Sequence, residues 1–321
     1  MEPRELLEAL VAVVATLGQL AATVAGPDGD VLLSTSPGSL HTALGTFISH
    51  LRDTLSHHGV TSLGQALAAL GATPGATWAH VTAAARAWWD SVAALEKSWV
   101  QVAKEATELR DACGDAATAE ATTAATAAAR AGDPEEHATC WGTAVDNMKA
   151  VAWRLPVALT KEEGASAEAA HEARMVAATG KMVAATKSME ESMVASSQEE
   201  AATRRGQRAK VALDILEYLV AACNKATAFP REMQRRLEDI NLALEGTREG
   251  SRDVPKALVT EAELLWKGSA SLATRHLLGT LREIRNLVSS HSGDPGGSRS
   301  RVVAERCQRA IEDIPRLLGE Q

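Results

Sequence analysis

Residues 78–116 read WAHVTAAARAWWDSVAALEKSWVQVAKEATELRDACGDA. Within them Trp78, Val81, Ala85, Trp88, Val92, Leu95, Trp99, Val102, Ala106, Leu109, Cys113 and Ala116 recur in alternating steps of three and four. That spacing holds apolar groups on one stripe of an α-helix, whereas a half-buried strand would alternate strictly. From Pro74 to Arg130 only Gly114 interrupts the pattern. A helix of up to about 57 residues is therefore expected, roughly 85 Å long at ~1.5 Å per residue. Past Gly114 it turns Ala/Thr-rich and has only small groups to pack.

A second stretch repeats the geometry. Met175-Val-Ala-Ala-Thr-Gly-Lys is followed by Met182-Val-Ala-Ala-Thr-Lys-Ser and then by Met189. A seven-residue repeat keeps one residue type on a coiled-coil seam. The hydroxyl and carboxylate of Thr160 and Glu163 have capping-box spacing, so a second very long helix is expected to start there and continue through Leu213, Leu216, Val220 and Cys223.

Around these two, Gly and Pro mark shorter helices. Leu6, Leu10, Val13, Leu17, Leu20 and Val24 form a stripe before Gly26-Pro27. Glu2, Glu5 and Glu8 outweigh Arg4, the reverse of a signal peptide's positive start, so a docked helix is the expectation. Further helices are read over 40–58, 63–70, 134–155, 233–244 and 254–290. Pro156 and Phe229-Pro230 are read as breaks or kinks. Gly-Asp-Pro-Gly-Gly within 289–300 makes the best linker, and a last helix carries Val303, Cys307, Ala310, Ile314 and Leu317. The segments expected are thus 1–72 (short helices), 73–291 (long-helix core), 292–300 (linker) and 301–321 (terminal helix). The fold class is all-α: an elongated antiparallel helical bundle or coiled coil with two long helices and several shorter ones. Strands are not expected, because β-branched and aromatic runs are missing.

Composition narrows the function. A net charge of −8 argues against nucleic acid and anionic membranes as general partners. Four dispersed cysteines suit a reduced, cytoplasmic chain better than a disulfide scaffold. No motif supports catalysis, a cofactor or a metal. His171-Glu172 would begin a zinc-protease helix, but Met175 stands where the second His is needed. Gly180-Lys181 lacks the rest of a phosphate loop. His137 and Cys140 share a helix face without a second ligand pair. His50, His57 and His58 cluster with Asp53 at a helix end but have no nucleophile beside them.

The interaction candidates are Trp89, which falls beside its stripe, the basic cluster Arg204, Arg205, Arg208 and Lys210, and the seam methionines Met175, Met182 and Met189. Ser298 and Ser300 are accessible positions for phosphorylation. The leading expectation is a non-enzymatic scaffold or adaptor. Its long seams would pair with each other inside the chain, with a second copy of itself, or with the helix of a protein partner. The alternative is a membrane- or lipid-engaging amphipathic helical protein led by the N-terminal helix.

Overall fold

The computed structural model describes residues 2–24, 40–58, 78–132, 134–159, 165–246, 256–289 and 298–319. Among them the structure is helical, with no strand. The helices are α1 (Pro3–Val24), α2 (Leu40–His58), α3 (Trp78–Ala131), α4 (Pro134–Leu159), α5 (Ala165–Ala226), α6 (Ala228–Gly246), α7 (Lys256–Leu272), α8 (Leu278–Ser289) and α9 (Ser298–Leu317). The expected helix at 63–70 and the capping box at 160–163 lie outside the described residues.

Two compact units form, one from Met1–Ala116 with Arg208–Gln321 and the other from Ala117–Gln207. They do not follow chain order, because the first and last helices share a unit. In the larger unit the seam of α3 is used inside the chain. Val92, Leu95, Trp99, Val102, Ala106, Leu109 and Cys113 are buried in one core with Ala212, Leu216, Leu219 and Cys223 of α5. Direction follows from the polar ties. Glu96 accepts from Arg231 and Gln234 at 3.3 and 2.9 Å, and the Cys113 thiol donates to the Ala209 carbonyl at 3.4 Å. Numbers rise on one partner as they fall on the other, which is antiparallel pairing.

In the smaller unit the same sense holds. Arg205 Nε lies 3.0 Å from Glu120 Oε2, an ion pair by distance that lacks hydrogen-bond alignment. The Ser192 hydroxyl donates to the Ala131 carbonyl at 2.7 Å. At the α3–α4 turn Gly132 has φ of +66°, a conformation costly for other residues. The Ala131 carbonyl can only accept, so His137 Nε2 donates to it at 3.1 Å and His137 Nδ1 accepts from Ser188 at 3.1 Å. A Cβ on Gly132 would come within 2.9 Å of that Nε2. Gly132→Ala is therefore expected to destabilise the smaller unit by about 1–3 kcal/mol, through left-handed strain and displacement of His137. Denaturant unfolding checks this.

Several expectations are corrected. α4 runs through Pro156 to Leu159, since a proline removes one N–H donor without always ending a helix. The helix end expected at Phe229-Pro230 falls a few residues earlier, at Ala226. The chain divides at Thr227, and Pro230 sits in the first turn of α6, where no amide donor is required. Ser298 to Ser300, assigned to the linker, begin α9. The helix expected over 254–290 contains a π-helical stretch, Ala273–Leu277, between α7 and α8. Its wider turn brings Ala273 and Leu277 to the same buried side. Trp266 of α7 is 2% exposed.

Candidate functional site

The feature that stands apart is α1. From Ala9 to Val24 it carries no charge. The sequence marks one apolar stripe, yet Leu7, Ala9, Val11, Val14, Gly18 and Ala21 are buried as well. A surface helix of a globular protein buries about a third of its circumference, and a helix apolar most of the way round suits either a protein core or a lipid core. At 22 residues and ~1.5 Å per residue α1 is about 33 Å long, comparable to the ~30 Å hydrocarbon core of a bilayer, with Arg4, Glu5 and Glu8 in its first turns and roughly 24 Å of it free of charge. Its hydroxyls need no outside partner. Thr16 donates to the Ala12 carbonyl at 2.8 Å, and Thr23 to the Gln19 carbonyl at 3.0 Å.

α1 is covered by α9, with α7 and α8 alongside. Gly18 makes the close approach possible. A Cβ there would lie 2.5 Å from Val303 Cγ1 of α9. The cover itself is amphipathic. Val303, Cys307, Ala310 and Ile314 face inward, while Arg299, Arg301, Glu305 and Arg309 are exposed. Polar ties hold its outer edge. Asp313 Oδ2 accepts from His276 Nε2 at 3.0 Å and from Arg316 at 2.8 Å, and Arg306 stands 3.7 Å from Glu283. The bond from His276, followed by the Arg316 charge, holds the Asp313 carboxyl below its usual range against the opposing effect of burial.

Where α2, α3, α6 and α7 converge, His58 is fully buried among aromatic rings. Phe229 lies 4.8 Å from it between centroids, and Trp266 stacks at 6.1 Å with planes 19° apart. Trp99 donates its indole N–H to His58 Nε2 at 3.0 Å. Nε2 is thus an acceptor and the imidazole proton sits on Nδ1, which has no partner among the described residues. Burial, followed by the neighbouring His57, lowers this imidazole to about 3. It is neutral at physiological pH.

The residues grouped by sequence are largely separated. His50 turns to Glu105, His57 is exposed and His58 is interior, so no histidine–aspartate centre forms with Asp53, which pairs with Arg52. In the basic cluster, Arg204 pairs along its helix with Glu200, Arg205 reaches Glu120 and Lys210 is exposed. Arg208 is also engaged. Met175, Met182 and Met189 are half-buried, and Trp89 is 38% exposed. The side chains of Trp78 and Trp88 lie outside the described ones. Burial pushes Cys113, Cys223 and Cys307 up to about 11, 12 and 11, which leaves them as unreactive thiols; Cys140 is exposed. Among the described residues no group of three or more His, Cys, Asp or Glu side chains could hold a metal ion. Sequence reasoning missed the buried role of His58, because a histidine that follows another histidine at a helix end reads as surface.

No protein-family model matches this chain, and no curated protein does. Among solved structures it is similar to the SmhB pore of the tripartite alpha-pore forming toxin Smh from Serratia marcescens. That likeness has 12% identity and a TM-score of 0.45, covering 88% of this chain and 98% of that one. It is also similar to the AhlB pore of the tripartite alpha-pore forming toxin AHL from Aeromonas hydrophila, at 12% identity and a TM-score of 0.40 over 89% and 99% of the two chains. The pre-pore form of AhlB gives 12% and 0.37 over 87% and 97%.

Proposed function

We propose that the protein is a non-enzymatic, membrane-engaging helical protein in which α1 is the inserting segment, stored in the larger unit beneath α9. The observation that carries this is the burial, on most of its circumference, of a helix whose stretch from Ala9 to Val24 is uncharged and whose charges, Arg4, Glu5 and Glu8, are confined to its N-terminal end, with its hydroxyls satisfied by its own backbone. Such a helix is stable in lipid as it stands, and it is insoluble unless covered. The scaffold reading takes second place. It allowed the long seams to pair with each other, with a second copy or with a partner helix, and Val92 to Cys113 of α3 and Ala212 to Ala226 of α5 are packed within the chain. Assembly of several copies into a pore is the most specific form of the proposal. The SmhB and AhlB proteins are named for that activity, and α1 supports only the membrane-engaging part of the proposal.

A covalent lock tests it. The Cβ position of Gly18 is 3.8 Å from Val303 Cβ, the mean separation in a disulfide. In a Cys140→Ser background, Gly18→Cys with Val303→Cys should be locked when oxidised and free when reduced. Dye release from phosphatidylcholine–phosphatidylglycerol vesicles is expected to fall at least about tenfold on oxidation and to return on reduction, since the lock removes the competent state. Equal release in both redox states would sink the idea, and so would a wild-type chain that leaves vesicles intact.

A further inference from the structure

In the larger unit, a cleft of about 260 Å³ opens between α2 and α8. Its floor is apolar, with Ile48 and Leu281 buried. Its walls carry three guanidinium groups, Arg52 from α2 and Arg282 and Arg285 from α8, and no carboxylate is among its lining residues. This concentration of positive charge stands out in a chain of net charge −8. The nearby acids are turned elsewhere. Asp53 takes Nε and Nη2 of Arg52 at 3.2 and 2.9 Å through a single oxygen, which leaves Nη1 free of that contact, and Glu283 faces Arg306. Arg282 and Arg285 have no hydrogen-bond or ion-pair partner among the described residues. The two wall hydroxyls are committed: Ser49 donates to the Gly45 carbonyl at 3.0 Å and Ser56 to the Asp53 carbonyl at 2.7 Å. Recognition therefore falls to the guanidinium groups.

We infer that this cleft is a binding site for a phosphate group, as a monoester or diester, held by Arg52, Arg282 and Arg285. A guanidinium fork matches phosphate oxygens two at a time, and a tetrahedral anion offers edges to several forks at once, whereas one carboxylate is saturated by one or two. The volume is below the ~300–1,000 Å³ of sites that enclose whole drug-sized ligands, so the cleft suits a headgroup or a free anion and not a nucleotide. The apolar floor lets carbon next to the phosphate lie against it. The site stands on α2 and α8 and needs no movement of α1, so it survives if the insertion of α1 is disproved.

The test uses the full chain at low ionic strength, with inorganic phosphate followed by calorimetry. Vesicles of phosphatidylcholine, with and without phosphatidic acid, are followed by co-sedimentation. Arg282→Gln with Arg285→Gln removes the two unpaired forks from exposed positions, and Lys97→Gln with Lys225→Gln removes the same charge outside the cleft. Wild type and the lysine variant are expected to bind phosphate alike, and the arginine variant at least about tenfold more weakly per fork removed. Loss of phosphatidic-acid-dependent sedimentation in the arginine variant alone assigns the site to a lipid headgroup. Retained sedimentation with lost phosphate binding assigns it to a free phosphate. The inference is overturned if wild type binds no phosphate, or if both variants weaken binding equally.

Discussion

Lowering the pH from 6.5 to 4.5 is expected to remove about 2 kcal/mol of stability through His58 alone. The sign follows from the shift. This imidazole is held down to about 3 in the folded protein, while an unfolded one takes its proton at about 6.5. Between those values the unfolded chain binds a proton that the folded chain refuses. Stability is thus intact above 6.5 and falls by about 1.4 kcal/mol per pH unit as the pH drops toward 3. Geometry supplies the mechanism. A proton on Nε2 would face the Trp99 indole N–H, two donors head to head, inside a ring of Phe229 and Trp266 that offers no acceptor. The carboxylates held low, Asp313 and Glu232, have ordinary values of 3.8 and 4.5 and lose their contribution only below this window.

His58→Gln keeps an acceptor for Trp99 and deletes the titration. Its unfolding free energy should be about 1–2 kcal/mol lower at pH 7, from lost ring packing, and nearly flat down to pH 4.5. His50, His57, His137 and His276 are unchanged in that variant and drop out of the comparison. A variant that loses stability on acidification as steeply as wild type would refute the assignment.

Gly18→Ala should destabilise the larger unit by about 1–3 kcal/mol, although alanine is the better helix former by about 1 kcal/mol. The added methyl would sit 2.5 Å from Val303 Cγ1, a distance no packed pair tolerates, so α9 must lift or Val303 must move. Val303→Ala should relieve the clash, making the double variant more stable than the sum of the single losses implies. Gly180 and Gly142, whose Cβ positions meet nothing within 4 Å, provide the control. There the same substitution should stabilise by about 0.5–1 kcal/mol. Loss at Gly18 and gain at Gly180 in thermal melts would separate close approach from propensity. A gain at both would mean that α1 and α9 are not in contact at this depth.

The helices were legible in the sequence because apolar spacing reports directly on a backbone of 3.6 residues per turn. The seam from Val92 to Cys113 is buried as its periodicity required. Periodicity does not say what a stripe faces, so the pairing of the seams inside the chain had to come from three dimensions. The buried circumference of α1 was hidden for a similar reason. Alanine and valine off the stripe read as tolerated surface until several helices close over them. The π-helical turn at Ala273–Leu277 breaks phase by less than one residue and leaves no signature a helix template would catch. The phosphate cleft was invisible because Arg52 and Arg282 are far apart in the chain and look like ordinary surface charges until α2 meets α8.

The packing of α9 on α1 also sets a clock. The ribosome makes α1 well before its cover. At ~5–20 residues per second, synthesis from Val24 to Ser298 takes roughly 15–60 s. For that interval the most apolar of the described helices is outside the ribosome without the surface that shields it. Nascent α1 is therefore a ready client for holding chaperones, and for any membrane-delivery factor that selects uncharged helices as they emerge.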